Sequence, residues 1–204
     1  VVHRRCLDPM FSISNEVAYN GRMFRKTAEP SGKRFLLPKS VWLDVKGAER
    51  GNKNHAVPEQ VNVAAKLVGQ AAAIYKGLPK LYLITPFTTV NRALQDALFP
   101  ALQSALPELA AEEIRAWLKE SCGTIHTFQG KEADEVLLVL GCDGQSGKGA
   151  AQWVGQKPNI INVAVSRAKY RLGVIGDYDL WKNIPYVGTV CKYLEKEENE
   201  IAPA

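Results

Sequence analysis

Apolar residues along this chain follow two spacings. Short continuous apolar runs at 41–45, 81–84, 136–140 and 172–175, bounded by turn-forming residues, predict buried strands. Between them, apolar positions recur three and four apart. Residues 58–75 place Val61, Ala64, Ala65, Val68, Ala72 and Ile74 on one broad stripe, with Pro58 at the start and Gly77 past the end. An amphipathic helix is expected there. Helices are also expected over 8–19, 90–106, 108–120 and 159–169, with short helical pieces at 179–183 and 189–196 and a short strand at 124–125. Strands alternating with helices, the strands apolar throughout, predict an α/β fold with a mainly parallel sheet. In such sheets ligands gather beyond the carboxyl ends of the strands.

At 204 residues and 46% hydrophobic, the chain can bury one substantial core, and residues 1–204 are expected to form a single domain. Residues 22–39 and 47–55 read as loop-like, 142–157 as a flexible surface loop, and 197–204 as a charged, frayed tail. The chain does not begin with Met, so an excised part of a longer protein is expected. No apolar run approaches the roughly 20 residues of a membrane span, and VVHRR lacks the apolar core of a signal peptide. The four cysteines form no CxxC pair, and the three histidines are likewise widely separated, which suggests neither a disulfide framework nor a zinc site. A reducing, cytoplasmic setting is the expectation.

Charge adds one asymmetry to this picture. Residues 1–53 hold eleven Lys/Arg against five Asp/Glu, and the remainder fifteen against sixteen, within a net charge of +5. A basic N-terminal third suits a polyanion such as nucleic acid or nucleotide, although a solvated surface has the same composition.

The segment LLVLGCDGQSGK, 137–148, imitates an ATPase, with an apolar strand ending near Asp143 and glycines beyond it. A phosphate loop requires GxxxxGK followed by Ser or Thr, whose hydroxyl binds magnesium. Here Cys142 stands at the first glycine position and Gly149 replaces the hydroxyl. No complete phosphate loop is present.

Four other segments carry candidate chemistry. In TIHTFQGKEADEVLLVL, 124–140, a dense polar turn of Gln129, Gly130, Lys131 and Glu132 precedes an apolar strand. Gln and Glu accept hydrogen bonds from ribose hydroxyls, Gly permits close backbone approach and Lys adds positive charge; at the carboxyl edge of the sheet these groups would face a cleft. The same residues would also serve a plain helix start. In NIINVAVSRAK, 159–169, a helix too apolar to be exposed ends in Arg167 and Lys169. Cations suit a helix C-terminus in any case, but an arginine on a rigid support can also meet a phosphate with permanent charge and bidentate donation. HRRC, 3–6, precedes the first helix. In ITPFTTVNRAL, 84–94, a strand passes through Thr85 and Pro86 into a helix, a suitable place for a backbone phosphate or for a simple cap.

Taken in order, these four segments resemble the second RecA-like domain of superfamily 1 helicases, in the branch of the nonsense-mediated-decay RNA helicase and its DNA-helicase relatives. TIHTFQGKEADEV and NVAVSRAK are similar to that branch's motifs V and VI. HRRC stands where the family has a Tyr-Arg-Met-His pattern, with Arg4 the better match to its arginine and Arg5 beside it. The resemblance implies a RecA-like sheet flanked by helices on both faces, and a half-site for ATP with Mg2+. The first RecA-like domain of the same protein would supply the phosphate loop and hold the Mg2+. Arg4 and Arg167 would reach the γ-phosphate, and Gln129, Gly130, Lys131 and Glu132 would meet the nucleotide. Thr85, Pro86, His126 and Thr127 would face single-stranded DNA or RNA. The chain alone is then expected to hydrolyse no ATP.

Two rivals stand beside that reading. A non-catalytic nucleic-acid-binding module could retain the helicase scaffold. A complete small ATPase conflicts with the missing phosphate loop.

Overall fold

The computed structural model describes residues 2–3, 6–19, 24–25, 35–51, 54–128, 130–156 and 158–198. Its elements run β1 Val2–His3, α1 Met10–Tyr19, β2 Phe24–Arg25, β3 Val41–Asp44, α2 Pro58–Tyr75, β4 Leu81–Thr85, α3 Thr88–Ala105, α4 Ala111–Ser121 and β5 Cys122–Thr124. A single 3-10 turn, Ile125–Phe128, leads to β6 Ala133–Val139. After it come α5 Lys148–Val154, α6 Pro158–Arg167, β7 Ala168–Gly176, α7 Tyr178–Trp181, α8 Val187–Tyr193 and β8 Glu195–Glu198.

Six strands form one sheet in the order β5-β4-β6-β7-β3-β8, every neighbouring pair parallel. β1 and β2 pair separately, also in parallel. From β3 the chain moves one way across the sheet, through α2 to β4 and through α3 and α4 to β5. From β6 it moves the other way, through α5 and α6 to β7 and through α7 and α8 to β8. Right-handed crossovers put these two sets of helices on opposite faces. The packing agrees, with α2 against α3 and α3 against α4, while α1 lies against α6 and α8. This is the expected RecA-like layering.

The strands at the centre explain why their sequences show no alternation. Val136 to Val139 of β6 and Leu172 to Gly176 of β7 are buried on both faces. Two indoles close the core beside them, Trp42 donating to the Gly176 carbonyl at 3.1 Å and Trp181 to the Gly141 carbonyl at 3.3 Å. Among the described residues, no helix is long and apolar enough to cross a membrane.

Three expectations are corrected. Residues 142–157 do not form a loop throughout: α5 lies inside the segment, with Ala151 and Val154 fully buried. Its glycines cap the helix at Gly147 and Gly155 rather than interrupt it. The chain end departs from the expected helix and tail, because α8 stops at Tyr193 and residues 195–198 pair with β3. Alternating charge hid that edge strand, whose ladder is supplemented by Lys39 beside Glu195 at 2.7 Å and Glu197 at 2.8 Å. The helix expected over 159–169 ends at Arg167, because Ala168 already pairs with Ala133.

Candidate functional site

Arg167 is the last residue of α6 and sits directly against the start of β7. It is 6% exposed. Its guanidinium turns inward, Nη1 donating to the Lys131 carbonyl at 2.9 Å and the Phe128 carbonyl at 3.4 Å, and Nη2 to Ser166 Oγ at 3.0 Å. Nε donates to the Val163 carbonyl at 3.2 Å. The arginine therefore fastens the end of α6 to the polar turn before β6. The cause of this inward pose is plain: a buried guanidinium must place its donors, and the turn's carbonyls accept them.

The turn itself is exposed. Gly130 has φ of 85°, in the left-handed region, with nothing within 4 Å of where a Cβ would stand. Lys131 and Glu132 are exposed beside it, and the Lys131 amide donates to the Phe128 carbonyl at 3.1 Å. Arg4 and Gln129 lie outside the described residues.

The turn occupies the amino edge of the sheet, not the carboxyl edge that the sequence suggested. It enters β6, while the chain left β5 at the opposite edge, with Thr124 level with Thr85 and Glu135 level with Leu81. The connection must run back roughly 20 Å along the strands and step sideways about 10 Å past β4. The described part of that connection is coiled, by the 3-10 turn at Ile125–Phe128 and by the Lys131 amide bonding back to the Phe128 carbonyl.

At the carboxyl edge the same connection presents His126 and Thr127, both exposed. His126 lines a cavity of about 370 Å³ together with Pro86. Thr127 lines a neighbouring cavity of about 460 Å³ with Arg115, Lys119 and Asn91, where the Asn91 Oδ1 is buried without a hydrogen-bond partner. Thr85 does not reach either. It is fully buried, its hydroxyl accepting the Phe87 amide at 3.3 Å, so it shapes the turn into α3 instead of facing solvent.

The imitation phosphate loop, beyond β6, is filled from within. Asp143 accepts the amides of Glu49 at 2.9 Å, Gln145 at 2.9 Å and Gly147 at 3.2 Å, with the Ser146 amide and hydroxyl as well. Burial pushes this carboxyl up, but those donors outweigh it and hold Asp143 well below the usual carboxylate range. Both oxygens are engaged, so Asp143 does not suit Mg2+. The loop is further braced by Glu49, which accepts the His55 amide at 3.0 Å and the Asp143 amide at 3.4 Å, and by the Cys142 amide, which donates to the His55 carbonyl at 2.8 Å.

Glu49, His55 and Cys142 bring a carboxylate, a ring nitrogen and a thiol within 4.8 Å of one another, the group among the described residues that could hold a metal ion. Tetrahedral zinc, with bonds of about 2.0–2.3 Å, would draw them closer. Burial, with the charges of Glu49 and Asp143, pushes the Cys142 thiol up, so without an ion this thiol stays protonated. Sequence reading missed the brace because its members lie far apart in the chain. It missed Trp153 because that residue was assigned to a loop.

A comparison with protein-family models matches residues 3–179 to AAA_12, an AAA domain. The chain belongs to this family. AAA_12 is a helicase-type domain, and the match suggests a nucleotide-dependent helicase motor domain. A comparison with curated proteins gave no match.

Proposed function

We propose that this AAA_12 chain is the second motor domain of an ATP-dependent helicase, in the branch of the nonsense-mediated-decay helicase and its DNA relatives. ATP would lie between it and a first RecA-like domain of the same protein. Glu132, Gly130 and Lys131, with Gln129, would meet the nucleotide, while Arg167 and Arg4 would approach the γ-phosphate. Pro86, His126 and Thr127 would contact single-stranded DNA or RNA, with Thr85 setting the turn beneath them. Mg2+ would be held by the first domain, and no step here depends on it.

One observation carries this reading. Arg167 is hydrogen-bonded to the Phe128 and Lys131 carbonyls, so the two most specific motifs meet at one edge. The 125–132 connection links that edge to His126 and Thr127. For Arg167 to act on a phosphate it must exchange neutral carbonyls for an anion, which adds Coulombic attraction and a bidentate match to the guanidinium that the carbonyls lack. A nucleotide could therefore draw the side chain out, and with it alter the turn.

The test is steady-state ATP turnover by the natural-length protein, with and without single strands, for wild type and Arg167→Ala. We expect kcat to fall about a thousandfold or more, with far less change in ATP affinity. Equal losses in both would leave Arg167 as a brace for the turn and remove it from the chemistry. The reading as a binding module without catalysis has its own support in the inward guanidinium. No turnover in wild type, with strands still bound, would favour it.

A further inference from the structure

The cavity at His126 has a second wall that the four motifs do not explain. Trp153, near the end of α5, lines it and is 48% exposed. The indole is continuous with the apolar surface of Pro86, Ile160 and Val163 in that cavity, and a contiguous apolar patch, rather than one exposed residue, marks a contact site. The indole is supported, its ring 6.1 Å from Phe87 at a 38° tilt, and Phe87 in turn lies 4.7 Å from the His55 ring. A braced platform of this kind keeps its position when a second ring arrives.

The remaining walls fit one chemistry. Pro86, Ile160 and Val163 supply apolar surface, while His126 and Asn159 each offer hydrogen-bonding groups. None of the described residues lining the cavity carries a carboxylate. Its volume of about 370 Å³ lies near the low end of small-molecule pockets, about 300–1,000 Å³, suited to a flat heterocycle rather than a peptide helix. Beside it, Thr127 lines the second, neighbouring cavity with Arg115 and Lys119. A backbone passing over the 3-10 turn can thus leave a base on one side and a phosphate on the other.

We propose that the Trp153 cavity is a nucleobase subsite, in which one base of a single strand stacks on the indole and presents its edge to His126 and Asn159. This rests on the reading that the chain takes single-stranded nucleic acid. Stacking is indifferent to base identity, since every base has a π-face, so the subsite grips a strand without reading sequence. It also places the strand against Asn159, Ile160 and Val163 of α6, and the Val163 carbonyl accepts Nε of Arg167.

The test is fluorescence anisotropy of a labelled oligothymidylate, and of an abasic strand of equal length, binding to this chain. Wild type should bind the base-bearing strand roughly tenfold to a hundredfold tighter than the abasic one. Trp153→Ala should lose that preference while binding the abasic strand as wild type does, and Trp153→Phe should keep most of it. A purely structural role for Trp153 would weaken both strands alike, and that result overturns the subsite. So does a preference undiminished in Trp153→Ala. If wild type binds neither strand, the nucleic-acid reading falls, and the subsite falls with it.

Discussion

The two ends of β6 look alike in sequence and differ in what they leave open. At the carboxyl end, Gly141 to Gly147 resemble a phosphate loop, yet Asp143 has already taken the amides that an anion would need. At the amino end, Gly130, Lys131 and Glu132 stand exposed with space around the glycine. A glycine-rich stretch therefore does not signal phosphate binding where its own carboxylate has claimed the donors. An internal carboxylate can satisfy the same geometry and shut the site.

The sharpest way to break this comparison is to place the same methyl group at each end. Gly141 has φ of 67°, and a Cβ there would lie 2.3 Å from the His55 carbonyl oxygen and 2.9 Å from Val90 Cγ2. Gly141→Ala combines a left-handed backbone with an overpacked contact and should cost about 4 kcal/mol in urea unfolding. Gly130→Ala shares only the backbone penalty, and about 1 kcal/mol is expected. Equal losses would mean that the two ends are not closed and open as described.

Between these two falls Asp143→Asn, expected to cost about 2 kcal/mol, because one acceptor oxygen becomes a donor facing donors. The folded-state value of Asp143 is depressed, so its contribution is present above the unfolded carboxylate value of about 3.9 and is lost as pH falls through the folded one. Wild type should lose stability progressively below about pH 4, and Asp143→Asn should show a flatter acid limb in the same titration. Parallel acid limbs would show that the loop's amides do not hold Asp143 ionised.

How much was legible beforehand follows the same division. The helix over Pro58–Tyr75 was read to the residue, because a proline start and a continuous stripe leave little choice. The central strands were read from unbroken apolar runs. The edge strand β8 was not, since its residues bury no apolar face and its pairing with β3 joins segments about 150 positions apart. The polar turn was recognised by its residue types but assigned to the wrong edge, because nothing local tells whether a turn leads into a strand or follows one. The NVAVSRAK pattern singles out Arg167 as a candidate, while its inward pose depends on carbonyls of Phe128 and Lys131 that no pattern in 159–169 announces. Thr85 shows the reverse case, a motif residue whose hydroxyl is spent on its own turn.

The segment joining β5 to β6 is the direct covalent link between the proposed strand-binding edge and the proposed nucleotide edge. In the proposed motor, a tug on His126 or Thr127 by a passing strand has only a few residues to cross before it reaches Gly130 and Glu132. One glycine inserted after Phe128 would add play to that linkage. ATP turnover should then idle, persisting while its stimulation by single strands fades; stimulation unchanged by the insertion would show that the stroke travels through another part of the fold.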